Sequence, residues 1–271
     1  MTYGEPIDFA ASDRRPSGVA TYATWTIIDI AIGFAVALVA IFLLSAAIVF
    51  PFADDESPEA LLAAAIVQSI WYGVIIFSVY RLARRKGGSW RELGLRGTSE
   101  APPKAFAALQ GTTPATAAIP LSQILLTIIS GYFASIGLVI VYGLLAQVAG
   151  IDALLPDAQV PRAYFDNDWL LPVLGLAIIG AAPFAEELLF RGFLYAWLRR
   201  LRGFFVAALI SGFVFSLAHL DPGLIIPFTG VGVVLAYAYE RTGSLAAPIG
   251  VHFVFNFVSF FLFVFVPEAR E

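Results

Sequence analysis

The sequence contains no cysteine and only two histidines, His219 and His252. Without cysteine, the chain has no disulfides, no thiol nucleophile, no cysteine-bound zinc and no iron–sulfur cluster, and its redox compartment stays open. Charged residues are also scarce. They make up 13% of the 271 residues, whereas about 25% is usual in soluble domains. Because a soluble protein must cover its surface with polar groups, this deficit argues against a soluble enzyme.

Apolar residues make up 59% of the chain and recur in long runs. A run of about 18 apolar residues or more is long enough to cross the hydrocarbon core of a bilayer as a helix. The candidate segments are Trp25–Phe50, Leu61–Tyr80, Ile119–Val148, Trp169–Leu189 with a continuation to Arg202, Phe204–Leu220, Leu224–Tyr239 and Leu245–Val266. The sequence therefore predicts an all-α, polytopic bundle of seven spanning helices. The alternative is eight helices, which would result if the long third or fourth segment is broken. The fourth segment contains Pro172 and Pro183, and proline can kink or break a helix.

Basic residues are distributed unevenly between the two ends of these segments. If the amino terminus lies in the cytoplasm, 13 of the 16 lysines and arginines fall on the inner side and Arg191 lies within the membrane. Only Arg162 and Arg270 then fall outside. Cytoplasmic loops of membrane proteins carry this kind of excess. The orientation of the chain in the membrane accounts for the basic clusters, so we expect no nucleic-acid partner. The expected partner is the lipid bilayer.

The same reading divides the chain into three parts. We expect a cytoplasmic amino-terminal tail over residues 1–22, two helices and a basic cytoplasmic loop over residues 23–117, and a membrane core over residues 118–267. The tail has no apolar region, so no cleavable signal peptide is expected.

Two adjacent carboxylates, Glu186 and Glu187, stand in the otherwise apolar fourth segment. Ionisable residues within membrane helices are costly to insert and therefore indicate functional sites. Glu187 and Arg191 are four residues apart in the favoured order for an ion pair, whereas helical neighbours point about 100° apart. We therefore expect a supporting Glu187–Arg191 pair and a Glu186 that faces a polar cavity as a general base. The alternative is a packing salt bridge in which both carboxylates are structural.

Both histidines follow in later segments. His219 ends the fifth segment, and His252 and Asn256 lie four residues apart on one face of the seventh. Each of these residues alone is compatible with helix packing or with an interhelical hydrogen bond. Together with the paired glutamates they indicate one shared site. Straight spans would place His219 near the outer end of its helix, so a kink at Pro183 or a broken segment is needed to unite the site.

Three motifs in this region resemble the signature of the CPBP family, which groups type II CAAX prenyl proteases with bacteriocin-processing and Abi proteins. In order, they are Glu186-Glu187-x-x-x-Arg191, Phe215-x-x-x-His219 and His252-x-x-x-Asn256, with Leu93-Gly94-Leu95-Arg96 as the element before the core. The resemblance covers roughly Leu170–Phe265. It implies an intramembrane endopeptidase that cuts a peptide or membrane-protein substrate.

The resemblance also implies roles for the individual residues. Glu186 would activate a water molecule with help from His219, and His252 and Asn256 would stabilise the oxyanion. Glu187 and Arg191 would support the site. This short chain, whose basic residues are mostly arginine, also looks more bacterial than eukaryotic, so we expect a bacterial plasma membrane.

The resemblance leaves metal dependence open. We expect a glutamate mechanism without a cofactor; if zinc is bound, its ligands would be Glu186, His219 and His252. Glu186 would then be a ligand and the site would lack a separate base, and the motif His-Glu-x-x-His is absent. Two other classes of function stay open: a non-catalytic Abi-like immunity or scaffold protein, and a transporter with a proton relay. The transporter is disfavoured because the sequence shows no internal repeat.

Overall fold

The structure is a computed structural model that describes residues 23–52, 57–96, 119–151, 154–155, 163–164, 167 and 169–266. Within these ranges the chain forms helices and turns and no strand. The predicted tail over residues 1–22 and the predicted loop over residues 97–117 lie outside the described residues, as do Arg162 and Arg270.

Seven long helices make up the described bundle. They are α1 (Ile27–Phe52), α2 (Pro58–Arg85), α3 (Leu121–Ala149), α4 (Leu171–Leu201), α5 (Phe204–Leu217), α6 (Ile225–Thr242) and α7 (Ala246–Phe265). Six of the seven, α6 being counted with its preceding turn, are long and apolar enough to cross a membrane, whereas α5 has only 14 residues. The predicted all-α, polytopic bundle is confirmed, and the protein is an integral membrane protein.

α4 is the central helix of the bundle. More than half of its most apolar stretch, 56%, is buried, compared with 17% in α3 and in α7. Two stretches of α4, Leu176–Ala181 and Leu188–Tyr195, are wound as wider π-type turns. They lie on either side of the short α-helical stretch that carries the paired glutamates. Such turns are rare and occur frequently at functional sites.

Backbone carbonyls in the wide turns of α4 accept hydrogen bonds from other helices or their ends. The pairs are Asn256 Nδ2 with the Ile178 carbonyl at 2.8 Å, Ser211 Oγ with the Phe190 carbonyl at 3.0 Å, and Trp25 Nε1 with the Phe193 carbonyl at 2.8 Å. Carbonyls that tilt away from the helix axis can take such an additional donor. The irregular winding of α4 therefore lets α7, α5 and the residues before α1 attach directly to its backbone.

The short length of α5 sets the position of His219. Glu186 lies 15 residues before the end of α4, roughly 22 Å along the axis, and His219 lies 15 residues after the start of α5, again roughly 22 Å. Only Arg202 and Gly203 separate the two helices, so the chain turns back after α4, and the hydrogen bond from Ser211 Oγ to the Phe190 carbonyl shows that α5 packs against α4. His219 thus returns to the level of Glu186. The α5 end expected at Leu220 comes three residues earlier, at Leu217.

α5 and α6 cross each other at a very short distance. A Cβ atom added at Gly232 would lie 2.4 Å from the Cα atom of Gly212, and one added at Gly212 would lie 2.6 Å from the Thr229 carbonyl oxygen. Only glycine fits such a backbone contact, and membrane helices use small residues in this way. The crossing also brings the Gly232 carbonyl within reach of α4.

Gly232→Ala is therefore expected to destabilise the protein by about 1–3 kcal/mol, because the added methyl group must push two backbones apart. Thermal unfolding of the purified protein in detergent measures the effect. Gly137→Ala is the matched control, since a Cβ atom added there, in α3, meets no atom within 4 Å. Equal unfolding temperatures for the two variants would contradict the close crossing.

Candidate active site

Glu187 and Arg191 form the ion pair that their spacing predicted. Glu187 Oε1 and Arg191 Nη1 are 2.8 Å apart, and both side chains are fully buried. Arg191 Nη2 also donates to the Gly232 carbonyl at 3.3 Å, and the guanidinium lies 4.6 Å from the centroid of the Phe215 ring. Arg191 therefore connects α4 to both α5 and α6. Its contacts fix the direction of Glu187.

His252 lies between the two glutamates. Its Nδ1 atom is 2.9 Å from Glu187 Oε1. An ionised carboxylate only accepts hydrogen bonds, so Nδ1 carries the proton and the Nε2 atom of the neutral ring keeps a lone pair. Nε2 lies 3.9 Å from Glu186 Oε2. The sequence did not predict that the two carboxylates, which point in different directions, would meet at opposite nitrogens of one imidazole.

Both glutamates have an Oε2 atom without a hydrogen-bond partner among the described residues, but the Glu187 side chain is fully buried, whereas Glu186 is partly exposed. Its Oε2 atom is buried and has no hydrogen-bond partner among the described residues, while 15% of the side chain is exposed. The 3.9 Å distance to His252 Nε2 is too long for a direct hydrogen bond, and a contact of this length between polar groups is commonly bridged by water. Glu186 therefore has the environment expected of a base that acts on a water molecule.

His219 lies beside this group without a direct bond to it. Its Nδ1 atom is 3.0 Å from the Phe215 carbonyl, and because a carbonyl only accepts, Nδ1 donates and Nε2 keeps its lone pair. The Phe215 ring contacts both imidazoles, with centroid distances of 4.9 Å to His219 and 5.8 Å to His252. His219 is also within electrostatic range of Glu186 and His252. The structure therefore gathers both histidines around one aromatic ring.

Asn256 is held by the backbone of α4. Its Nδ2 atom donates to the Ile178 carbonyl at 2.8 Å, one helical turn along α7 from His252. This bond uses one of the two amide hydrogens and leaves the second one and the side-chain oxygen. In the described part of the chain, no hydrogen bond joins Asn256 to the glutamates or the histidines.

Tyr72 of α2 also lies beside Glu186 and interacts with its carboxylate. Tyr72 was not among the site residues predicted from the sequence. Gln68 Nε2 donates to the Tyr72 hydroxyl at 2.7 Å. The available signal was the presence of two polar side chains, four residues apart, in an otherwise apolar helix.

The described residues contain no group of three histidine, aspartate or glutamate side chains arranged to hold a metal ion. Glu187 Oε1 is already shared by Arg191 and His252. The zinc ligands considered from the sequence, Glu186, His219 and His252, are neighbours, but they lack the spacing of a ligand set.

A known protein family matches the part of the chain that carries this site. Residues 168–258, which include all seven residues named in the three motifs, match the family described as "Type II CAAX prenyl endopeptidase Rce1-like". "Putative membrane peptidase YdiL" of Bacillus subtilis (strain 168) is 28% identical over 100 residues, which are 37% of this chain and 41% of that protein. No solved structure matches the chain.

A second relative is "Membrane-embedded CAAX protease MroQ" of Staphylococcus aureus (strain USA300). It is 34% identical over 102 residues, which are 35% of this chain and 40% of that protein. The matches therefore span about two fifths of the length of each relative. The resemblance that the three motifs indicated is confirmed, because residues 168–258 match the model of the type II CAAX prenyl endopeptidase family.

Proposed function

We propose that this protein is an intramembrane endopeptidase in which Glu186 activates a water molecule for attack on a peptide bond. One observation carries the proposal. Glu186 has a buried carboxylate oxygen that no described residue hydrogen-bonds, and this oxygen faces the Nε2 atom of His252 across 3.9 Å. A water molecule between the two atoms would have an acceptor on both sides.

In the proposed reaction, Glu186 takes one proton from the water while the water oxygen bonds to the scissile carbonyl carbon. The electron pair of the carbonyl double bond moves to its oxygen. When the tetrahedral intermediate collapses, the carbon–nitrogen bond breaks and Glu186 returns the proton to the leaving nitrogen. His219 supports the first step, since its Nε2 lone pair can accept a hydrogen bond from the water and orient it.

His252 and Asn256 are proposed to stabilise the oxyanion of that intermediate. For this role His252 takes up a proton from solvent at Nε2, the atom that keeps a lone pair in the resting site, and then donates from it to the oxyanion. The buried Glu187 carboxylate on Nδ1 balances the added charge. Asn256 contributes the amide hydrogen that is not used by the Ile178 carbonyl. Glu187 and Arg191 thus support catalysis through His252 without touching the substrate.

No metal ion is assigned a step in this proposal. The protein groups suffice for proton transfer and oxyanion stabilisation, and the described residues do not form a ligand set for zinc. We propose a metal-free mechanism, which metal analysis of the active protein tests directly.

We propose that the protein lies in a bacterial plasma membrane with its amino terminus in the cytoplasm. The distribution of lysine and arginine supports this orientation, and both relatives are bacterial. Because the site lies among membrane helices, the proposed substrate is a peptide segment at or within the bilayer.

The function is tested with purified protein in liposomes and internally quenched peptides that carry a hydrophobic segment, with and without an S-farnesyl cysteine. In water labelled with oxygen-18, hydrolysis is expected to place one labelled oxygen in each new carboxyl terminus, as measured by mass spectrometry. Glu59→Gln, at an exposed glutamate, is the matched control for Glu186→Gln.

Three results would count against the proposal. Labelled termini formed equally by the Glu186→Gln variant would exclude the glutamate base. Activity that disappears with a zinc chelator and returns with zinc would replace the metal-free mechanism. A folded protein that cleaves none of the peptides would favour the non-catalytic, Abi-like role.

A further inference from the structure

The Glu186 carboxylate contacts a helix outside the matched residues 168–258. Tyr72 lies on α2, where its side chain is 5% exposed, and α2 packs against α4 along the stretch that carries the glutamates. The neighbouring Trp71 donates from Nε1 to the Ala37 carbonyl at 2.8 Å. This bond attaches α2 to α1 and leaves the next residue, Tyr72, facing α4.

The hydrogen-bond pattern determines the direction of the Tyr72 hydroxyl. Gln68 Nε2 donates to the Tyr72 oxygen at 2.7 Å. A phenol has a single hydrogen, and since its oxygen is the acceptor from Gln68, that hydrogen is available to another group. The carboxylate of Glu186 interacts with this hydroxyl and is an acceptor.

When a hydrogen bond holds one oxygen of a carboxylate, the direction of the other oxygen is fixed as well. Glu186 Oε2 is the atom without a hydrogen-bond partner in the described structure, and it faces His252 Nε2. A base that acts on a water molecule needs a free lone pair in a fixed direction. The arrangement of Gln68, Tyr72 and Glu186 provides both.

We infer that Tyr72 is a positioning residue of this site: its hydroxyl donates to the Glu186 carboxylate and keeps the free oxygen directed towards the two histidines. Gln68 in turn orients the hydroxyl. The inference rests on the proposed function, and it adds a residue from the amino-terminal half to a site otherwise built from α4 to α7. It also implies that residues 168–258 alone would not form the complete site.

Tyr72→Phe tests the inference because it removes only the hydroxyl. A hydrogen bond to a charged group is expected to be worth about a 10- to 100-fold change in kcat. KM is expected to change less than about twofold, since Tyr72 does not touch the substrate in this scheme. Steady-state cleavage of an internally quenched peptide in liposomes measures both constants. Tyr80→Phe, on the same helix but stacked on Trp90, is the matched control and is expected to keep the wild-type kcat.

The contact itself is tested without any substrate by thermal unfolding of a double-mutant cycle. The change in unfolding temperature caused by Tyr72→Phe is expected to shrink or vanish in a Glu186→Ala background. An equal change in both backgrounds overturns the contact.

The two proposals fail in different ways. If Glu186→Gln is inactive and Tyr72→Phe cleaves at the wild-type rate, the positioning role is wrong and the proposed function stands. If Glu186→Gln cleaves normally, the proposed function fails, and the positioning role fails with it whatever the unfolding cycle shows. A parallel fall in kcat and in unfolding temperature for both Tyr72→Phe and Tyr80→Phe would reduce the effect to packing and overturn the inference.

Discussion

Replacement of Glu186 by glutamine is expected to lower kcat for peptide cleavage by about 10²- to 10⁴-fold, the usual contribution of a general base. Glutamine has the size of glutamate but cannot take a proton from water. Glu186 Oε2 makes no hydrogen bond and Glu186 forms no ion pair with an arginine or lysine in the described structure. The folded protein therefore loses little when the charge is removed.

The measurement must separate catalysis from folding. kcat and KM are determined with a quenched peptide in liposomes, and unfolding temperature is followed by the fluorescence of the five tryptophans. The expected combination is a large fall in kcat with an unfolding temperature near that of the wild type. A variant that no longer folds would show that Glu186 is structural, which was the alternative reading of the paired glutamates.

Much of the fold follows from the sequence because membrane helices obey simple rules. Apolar length located every helix to within a few residues; α2 was expected at Leu61–Tyr80 and spans Pro58–Arg85. The end of α5 was less predictable. Ala218 and Leu220 are as apolar as the helix before them, so composition gives no reason to stop at Leu217. Leu220 has a φ of 56°, a left-handed conformation that is rare for such a residue, and composition does not reveal it.

In the site, too, the sequence predicted local contacts but not contacts between distant residues. The spacing of Glu187 and Arg191 predicted their pair because an i,i+4 contact is local. The contacts of Asn256 with Ile178 and of Tyr72 with Glu186 join residues 78 and 114 positions apart, so they depend on how the helices pack. The wide turns of α4 likewise depend on donors from other helices. Sequence patterns therefore predicted which ionisable groups meet in the site better than they predicted the residues that orient them.

Breaking the Glu187–Arg191 pair is expected to have the largest effect on stability. Glu187→Gln leaves the Arg191 guanidinium without its counter-charge, and Arg191→Met leaves the Glu187 carboxylate without its arginine, in both cases at a fully buried position. An unpaired buried charge lowers stability by about 3–5 kcal/mol. Unfolding of the purified variants in detergent measures the loss. Lys86→Met is the matched control, because Lys86 is 42% exposed and 3.9 Å from Asp29, and exposed pairs contribute about 0–1 kcal/mol.

The double variant Glu187→Gln/Arg191→Met separates stability from catalysis. Removal of both charges is expected to restore most of the stability that either single change loses, because no buried charge is left unpaired. Activity is not expected to return, since a neutral amide on His252 Nδ1 cannot balance the charge of an imidazolium that stabilises the oxyanion. A double variant as unstable as the single ones would show that packing, and not charge pairing, holds this part of α4. Full activity in a stable double variant would mean that His252 works without an anionic partner, and Glu187 would then have no part in the chemistry.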